Sequence, residues 1–269
     1  MLCLMNLLIY LYCDWLVAIP LCGCCRTATV RDDLSTLSSS TVPLSTLTIK
    51  MLLEIKKITV PPGQKILLHD ISWSDFEAIL EDLGESRASR IAYDNGILEI
   101  MTPLPEHEVS KVLIGDLIKA LLEELEIDFW SLGSTTFKNQ LMAKGIEPDD
   151  CFYLKNEAAV RGKNRLDLTI DPPPDLAIEV EITSRSNLNI YEALKVPELW
   201  RFEQGKLEIY ILQEGKYVKF PSSLTFTNLP VVDLIPEYLT KAKNIGRNKT
   251  MKAFRNWIRK QIGEEKSRS

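Results

Sequence analysis

Carboxylates stand inside two short apolar segments of the chain, residues 146–154 and 174–184, where unpaired charge is costly. In an extended strand alternate side chains share a face, so Glu179 and Glu181 point away from the apolar residues between and beside them. Burying a lone carboxylate costs on the order of several kcal/mol unless it is hydrogen-bonded, paired or bound to a metal. The other acidic strand carries Asp149. The pattern therefore predicts a site for a divalent cation between the two strands.

Each candidate residue also has a structural interpretation. Asp149 or Asp150 could cap a turn after the proline that precedes them. Glu181 could be a second ligand or the ion-pair partner of a lysine or arginine. His107 is expected to be a surface residue at the start of a helix, with metal ligation as the alternative. Glu179, with strongly apolar neighbours, is the hardest of these residues to explain without a ligand.

The segments before the acidic strands predict a helix and a hairpin. Residues 72–80 begin with a capping serine and have apolar residues three and four apart, which predicts a helix ending near Gly84. The Asn-Gly pair at 95–96 supplies the positive backbone torsions of a tight turn. We therefore expect a hairpin formed by strands 90–93 and 97–101.

The longest predicted helix covers residues 107–125, with Glu106 and Glu108 around its first turn. Further elements are expected as strands at 128–137, 198–202 and 207–212 and a short helix at 189–194. The apolar stripe of the long helix is predicted to consist of Val109, Val112, Leu113, Leu117, Ala120, Leu121 and Leu125.

This order of elements and acids resembles the PD-(D/E)XK superfamily of nucleases, and at family level it resembles the Uma-two family of restriction endonucleases. The resemblance covers the chain from about Trp73 to Leu212. The motifs that carry it are His107-Glu108, the run 133–138, Glu147-Pro148-Asp149, and the runs 174–180, 191–194 and 196–201.

The resemblance implies an α/β (α+β) fold of the restriction-endonuclease-like type, a mixed central sheet flanked by helices. It also implies hydrolysis of phosphodiester bonds with Mg²⁺ or Mn²⁺. Asp149 and Glu179 would hold the metal, which polarises the phosphate and lowers the pKa of a bound water. Glu108 would be an outer ligand or hold a water, and Glu181 completes the set of candidate catalytic residues.

One departure from the superfamily pattern concerns its lysine. That lysine belongs at the position that Glu181 occupies here. Many relatives carry a lysine on the following helix instead, but the corresponding residue is Asn187, with Arg185 as the nearest cation. Lys138 or Lys155 could reach the site from a neighbouring strand.

The leading hypothesis is a soluble, cytoplasmic, metal-dependent endonuclease acting on nucleic acid, with DNA as the expected substrate and a homodimer compatible with that role. The alternative is a non-catalytic descendant of the fold that binds nucleic acid or a partner protein, which the missing lysine favours. A membrane-tethered protein is a third class, and it would need residues 2–25 as an anchor.

The composition of the 269 residues, 45% hydrophobic and 26% charged, is that of globular material, and the net charge of −5 argues against a uniformly basic nucleic-acid-binding surface. Five of the six cysteines lie in the first 25 residues, and a Ser/Thr-rich stretch follows. We therefore expect residues 1–50 to be an extension with a mis-assigned start and residues 51–240 to be the domain. Residues 241–269 hold ten Lys or Arg and are predicted to be a basic tail or helix, either solvated or gripping nucleic acid.

Overall fold

The computed structural model describes residues 57–84, 88–163, 165–181 and 188–266, with side chains described to residue 263. The predictions for residues 1–50, and those for Arg185 and Asn187, lie outside these residues. The domain boundaries stay a prediction.

Six α-helices and eleven strands lie along the described residues. The helices are α1 Trp73–Leu83, α2 Pro105–Glu124, α3 Glu157–Val160, α4 Leu188–Ala193, α5 Val231–Ile245 and α6 Arg247–Lys266. The strands are β1 Lys65–Leu68, β2 Arg90–Asp94, β3 Ile97–Met101, β4 Trp130–Ser131, β5 Phe137–Asn139, β6 Lys144–Ile146, β7 Asp150–Tyr153, β8 Leu176–Glu181, β9 Glu198–Glu203, β10 Lys206–Gln213 and β11 Lys216–Phe220.

A five-stranded antiparallel sheet, in the order β1-β3-β2-β6-β5, forms the first layer. Its hairpin turns at Asn95 and Gly96, which both have positive φ, so the predicted tight turn is confirmed. The side chain of Ser72 accepts a hydrogen bond from the backbone of Asp75 and begins α1, as predicted. Phe76 of α1 stacks on Tyr93 of β2 at 4.5 Å between ring centroids, which fixes α1 on this sheet.

A six-stranded sheet, in the order β11-β10-β9-β8-β7-β4, forms the second layer. β8 and β9 are parallel and the remaining pairs are antiparallel, so this sheet is mixed. β7 and β8 are neighbours, with Asp150 opposite Ile178. The predicted α/β class with a mixed sheet flanked by helices is confirmed, and so is the adjacency of the two acidic strands.

Helix α2 packs on the second sheet, but its buried face differs from the predicted stripe. Val109 and Val112 are 53% and 54% exposed, whereas Ile114 and Ile118, which the prediction omitted, are fully buried. The later turns of α2 contact β8 as well as α5 and α6, so more than one face of the helix is covered there. The sequence periodicity of one stripe could not show this second layer of helices.

The basic C-terminal segment includes the helix α6, which lies along α2. Arg247, Arg255 and Arg259 form ion pairs with acids of α2, with the shortest nitrogen–oxygen distances at 2.6–2.7 Å. Phe254 and Ile258 are buried beneath them. These three arginines therefore bind the protein's own helix, while Lys249 and Lys252 are exposed. No helix within the described ranges combines the length and the apolar character needed to cross a membrane.

Gly115 allows α2 to approach the second sheet closely. A β-carbon at this position would lie 2.6 Å from Oδ2 of Asp150. We therefore expect Gly115→Ala to lower the free energy of unfolding by about 1–3 kcal/mol, because the buried carboxyl group has to shift. Urea unfolding measures this change.

The matched control is Gly263→Ala in α6, where a β-carbon meets nothing within 4 Å. Alanine is a better helix former than glycine, so this control should gain about 0.5–1 kcal/mol. Equal gains in the two variants would show that Gly115 has no steric role.

Candidate active site

Asp149 and Glu179 face one small cavity between the two sheets. The chain leaves β6 of the first sheet and enters β7 of the second within three residues, so Asp149 lies at the junction. Its backbone nitrogen donates to the Ile178 carbonyl at 3.1 Å, and its Oδ2 accepts from the Val180 backbone nitrogen at 2.8 Å. Asp149 and Glu179 are 3% and 6% exposed and line a cavity of about 60 Å³.

His107 reaches the same cavity from the first turn of α2. It is only 3% exposed, so the expectation of a surface residue was wrong. Its Nε2 lies 3.0 Å from Oδ2 of Asp149 and its Nδ1 lies 3.5 Å from Oε1 of Glu108. Neither approach has the direction of a hydrogen bond, and both ring nitrogens are without such a partner in the described structure.

Arg90, the first residue of β2, brings a permanent cation to this site. Its Nη2 donates to Oε1 of Glu108 at 3.3 Å, and its Nε lies 3.6 Å from Oδ1 of Asp149. The Nε atom is buried and has no hydrogen-bond partner within the described residues. Arg90 could not be found from the sequence, because no local spacing connects the start of a hairpin strand with an acid at the edge of a different sheet.

Glu108 lies at the rim, where its side chain is 42% exposed. One turn further along α2, Lys111 donates to Oγ of Ser134 at 2.9 Å, and this hydroxyl donates to the Asp149 carbonyl at 2.9 Å. Lys111 also lies 3.7 Å from Oε2 of Glu108. The first turns of α2 therefore place an acid and a second cation beside Asp149.

Tyr191 of α4 holds Glu179 from the other side. Its phenol donates a short hydrogen bond to Oε1 of Glu179, and the ring is fully buried. Burial, followed by the negative charges of Glu179 and Asp149, raises the pKa of Tyr191 well above its usual range. The phenol therefore stays protonated and fixes one oxygen of Glu179.

Glu181 lies two residues further along β8 and forms an ion pair with Arg201 of β9. The guanidinium binds both carboxylate oxygens, with Nε to Oε1 at 3.0 Å, and both side chains are buried. Arg201 also packs over the ring of Tyr210 at 5.6 Å. Of the two alternatives for Glu181, the structure shows the ion pair. Its inclusion among the catalytic residues stays a prediction.

The two lysines expected as substitutes for the superfamily lysine have other positions. Lys138 donates to Oε1 of Glu77 at 2.6 Å. Lys155 is exposed and follows the end of β7 opposite to Asp149. Among the described residues, Arg90 and Lys111 are cations whose contacts bring them to the predicted site.

Glu147 also lines the cavity, but both of its carboxylate oxygens accept hydrogen bonds from the protein. Thr136 donates its hydroxyl to Oε1 at 2.5 Å, and the Ile91 backbone nitrogen donates to Oε2 at 3.2 Å. These bonds tie the segment after β6 to the start of β2. Glu147 is therefore a structural acid that shapes the cavity wall.

A wider cleft of about 850 Å³ adjoins the cavity, and Arg90 and Glu147 line both. Hydroxyl groups, cations and carboxylates line its walls. Besides Arg90 and Glu147, they belong to Glu77, Glu81, Ser89, Ser134, Thr135, Thr136, Lys138 and Arg165. A ligand in the cleft would therefore reach the acidic cavity past Arg90.

The two carboxylates of this site suit Mg²⁺, which keeps several water ligands, better than a metal ion that takes all of its ligands from the protein. Within the described ranges, no three or more His, Cys, Asp or Glu side chains form a group that could hold a metal ion. Mg²⁺ keeps several waters and binds through one or two carboxylates together with phosphate oxygens. Asp149 and Glu179 supply two buried carboxylates, and a cavity of about 60 Å³ has room for waters.

Asp150, the neighbour of Asp149, points instead towards α2. Burial raises its pKa above the ordinary value, although Lys119, the Cys151 backbone nitrogen and the Ser131 hydroxyl partly oppose this shift. A raised pKa means that the folded chain binds this proton more tightly, so its contribution to stability is lost as the pH rises through the folded pKa. We therefore expect Asp150→Asn to gain stability relative to the unaltered chain as the pH rises from about 4 to 7.

The control for this pH dependence is Asp167→Asn. Hydrogen bonds from Thr169 lower the pKa of Asp167, so its stabilising contribution is present at neutral pH and is lost on acidification. The stability of Asp167→Asn relative to the unaltered chain should therefore fall as the pH rises, whereas that of Asp150→Asn should increase. Urea unfolding across the pH range measures both, and parallel curves for the two variants would contradict the assignment.

The mixed sheet with two neighbouring acidic strands is the arrangement that the resemblance to restriction-endonuclease-like nucleases implied. Residues 73–240, more than half of the chain, match the family Uma2, described as "Putative restriction endonuclease". The chain belongs to this family, and the resemblance inferred from the motifs is confirmed.

One solved structure similar to this chain is described as "a putative nuclease belonging to DUF820 from Anabaena variabilis ATCC 29413". It shares 14% sequence identity, with a TM-score of 0.44, and the match covers 62% of this chain and 97% of the other. No curated protein sequence matches the chain.

Proposed function

We propose that the chain is a metal-dependent endonuclease that hydrolyses phosphodiester bonds in nucleic acid, with DNA as the substrate. The observation that supports this most strongly is the pair of buried carboxylates, Asp149 and Glu179, in one small cavity beside an open cleft. Two buried carboxylates in one cavity repel each other, and a divalent cation between them would offset this repulsion. Family membership supports the same class of reaction.

In this proposal Asp149 and Glu179 hold Mg²⁺ or Mn²⁺. A bound ion would supply a positive charge that polarises the phosphate and would lower the pKa of a water molecule towards neutral pH. The Val180 backbone nitrogen orients Asp149, and the Tyr191 phenol orients Glu179. Both ligands therefore enter the reaction in fixed positions, which reduces the cost of assembling the site.

Glu108 and His107 have supporting roles at the rim. The partly exposed carboxylate of Glu108 would hold a water at the cavity entrance, as the family resemblance implies. The imidazole of His107 excludes bulk water on this side because it is buried. We assign no reaction step to Glu181, since its contacts are with Arg201. A cytoplasmic location and a homodimer remain part of the proposal.

The second candidate is a nuclease-fold protein that binds nucleic acid or a partner protein without cleaving. The observation that favours it is the position of Glu181, which stands where the superfamily has its lysine and is bound to Arg201. A chain without that cation could keep the fold and lose the chemistry.

A nicking assay separates the two candidates. Supercoiled plasmid and a labelled RNA are incubated with the protein and Mg²⁺, Mn²⁺ or EDTA. The proposal expects relaxed plasmid with either metal and none with EDTA, with less cleavage of RNA. Absence of cleavage of both substrates, together with nucleic-acid binding in calorimetry, would replace the proposal with the non-catalytic candidate.

A further inference from the structure

Buried nitrogen atoms without hydrogen-bond partners are concentrated at the candidate active site. In the part of the chain that the structure describes, four buried side-chain nitrogens lack such a partner: Trp73 Nε1, Arg90 Nε, and both ring nitrogens of His107. Three of the four belong to residues that line the cavity of Asp149 and Glu179. Buried polar groups are normally satisfied, so a cluster of this kind indicates a group that the site is built to receive.

Arg90 has the chemistry and the position to receive an anionic group. Its guanidinium is always charged and presents planar N–H groups that match the oxygens of a phosphate. Nη2 donates to Glu108 at the rim, whereas the buried Nε, which lies 3.6 Å from Oδ1 of Asp149, has no hydrogen-bond partner in the described structure. Arg90 also lines both the cavity and the 850 Å³ cleft. It therefore stands where a strand lying in the cleft would enter the cavity.

We propose that Arg90, with His107 beside it, is a phosphate-binding subsite that takes the phosphodiester group of a nucleic-acid strand and supplies the cation that the superfamily obtains from its lysine. This inference rests on the proposed function. Glu181 is an acid and cannot supply that cation, and the guanidinium of its partner Arg201 already donates to both oxygens of Glu181. The Nε of Arg90, in contrast, lies 3.6 Å from Oδ1 of Asp149.

The surrounding charges make phosphate binding depend on metal. Glu99, Glu147, Asp149 and Glu179 line the cavity together with Arg90. Their negative charges oppose an entering phosphate until a divalent cation offsets them. Metal and phosphodiester should therefore bind with positive coupling, and each should raise the affinity of the chain for the other.

The experiment measures oligonucleotide and metal binding separately. Fluorescein-labelled duplex DNA is titrated in Ca²⁺ at low temperature, its integrity is checked on a gel, and anisotropy gives the affinity. Calorimetry with Mn²⁺ alone gives metal binding. We expect Arg90→Gln to weaken DNA binding about 10- to 100-fold, as for the loss of a charged hydrogen bond. Its Mn²⁺ affinity should stay the same or rise, since a cation beside Asp149 has been removed.

Two further variants sharpen the test. Lys216→Gln removes one positive charge from an exposed strand and should change DNA affinity less than about twofold, because exposed charges are screened. Arg90→Lys keeps the charge but loses the planar fork, so a loss of about 3- to 10-fold is expected. If Arg90→Gln is unfolded at the assay temperature, the DNA affinity of Arg90→Lys tests the proposal instead.

The outcomes separate this inference from the proposed function. Equal DNA affinity in Arg90→Gln and the unaltered chain, with normal Mn²⁺ binding by both, would overturn the phosphate subsite alone. Equal losses in Arg90→Gln and Lys216→Gln would overturn it as well, because only general charge would then matter. Failure of the unaltered chain to bind Mn²⁺ would overturn the proposed function and this inference with it.

Discussion

Asp149→Ala and Glu179→Ala should each abolish metal-dependent cleavage, with a loss of at least about 1,000-fold in rate. The reason is that each change removes a carboxylate ligand, and metal stabilisation of the transition state contributes several kcal/mol. Plasmid nicking with Mg²⁺ over a series of enzyme concentrations measures the loss. A variant with more than a tenth of the original rate would contradict the assignment of that residue.

The amide variants add a stability test to this prediction. Asp149→Asn keeps an acceptor for the Val180 nitrogen, and Glu179→Gln keeps one for the Tyr191 phenol. Because like charges in one cavity repel, their loss should leave the metal-free stability unchanged or higher. The matched control is Asp175→Asn, a buried carboxylate that accepts from the backbone nitrogens of Leu154 and Asn156. The Asp175→Asn variant should retain cleavage. If this variant alone loses stability, Asp175 has a structural role that Asp149 and Glu179 do not have.

Breaking the buried pair of Glu181 and Arg201 should have the largest effect on folding. Arg201→Met leaves the Glu181 carboxylate buried without its bidentate partner, and such changes cost about 3–5 kcal/mol. The double variant Glu181→Leu with Arg201→Met should recover to within about 1 kcal/mol of the unaltered chain, because hydrophobic side chains can replace a buried ion pair. Urea unfolding of the single and double variants forms the cycle.

The same cycle decides what Glu181 does. If the loss of unfolding free energy in the double variant equals the sum of the losses in the two single variants, Glu181 and Arg201 do not act as a pair. A ligand or water-orienting role for Glu181 predicts lower turnover in Glu181→Gln at unchanged stability, whereas the pair predicts lower stability first. Glu181→Lys would place a cation against Arg201, so a lysine at this position is best tested together with Arg201→Glu.

Local chemistry made several elements predictable. The cap at Ser72 and the Asn-Gly turn are encoded within a few residues, and both appear where the sequence indicated. The period of two in β8 correctly separated Ile178 from Glu179, because Ile178 packs in the core with α2 while Glu179 faces the cavity. The adjacency of β7 and β8 followed from the need to explain two acidic strands together.

Other parts of the fold depend on contacts between distant segments. Val109 and Val112 continue the apolar stripe of α2, but about half of each side chain stays uncovered by the residues that the structure describes. The strand expected over 128–137 is instead split between β4 and β5, which belong to different sheets. Neither outcome can be derived from periodicity, since both depend on where the other layers pack.

The candidate site was predictable only in its acids. Asp149 and Glu179 stood out because carboxylates in apolar strands are unusual, whereas Glu108 was named only through the resemblance to the nuclease superfamily. Arg90 and Tyr191 had no such signal, because an arginine that begins a hairpin strand and a tyrosine on a short helix are ordinary in sequence. Their roles come from the junction between the two sheets.

Binding of Mn²⁺ by titration calorimetry tests the central claim most directly. The unaltered chain should bind about one Mn²⁺ ion, because two carboxylates together with waters can hold one such ion. An excess of EDTA should abolish this binding. The double variant Asp149→Asn with Glu179→Gln should show no saturable binding under the same conditions, while Asp175→Asn should bind as the unaltered chain does. Equal binding by the double variant and the unaltered chain, or no binding by the unaltered chain, would contradict a metal site formed by Asp149 and Glu179.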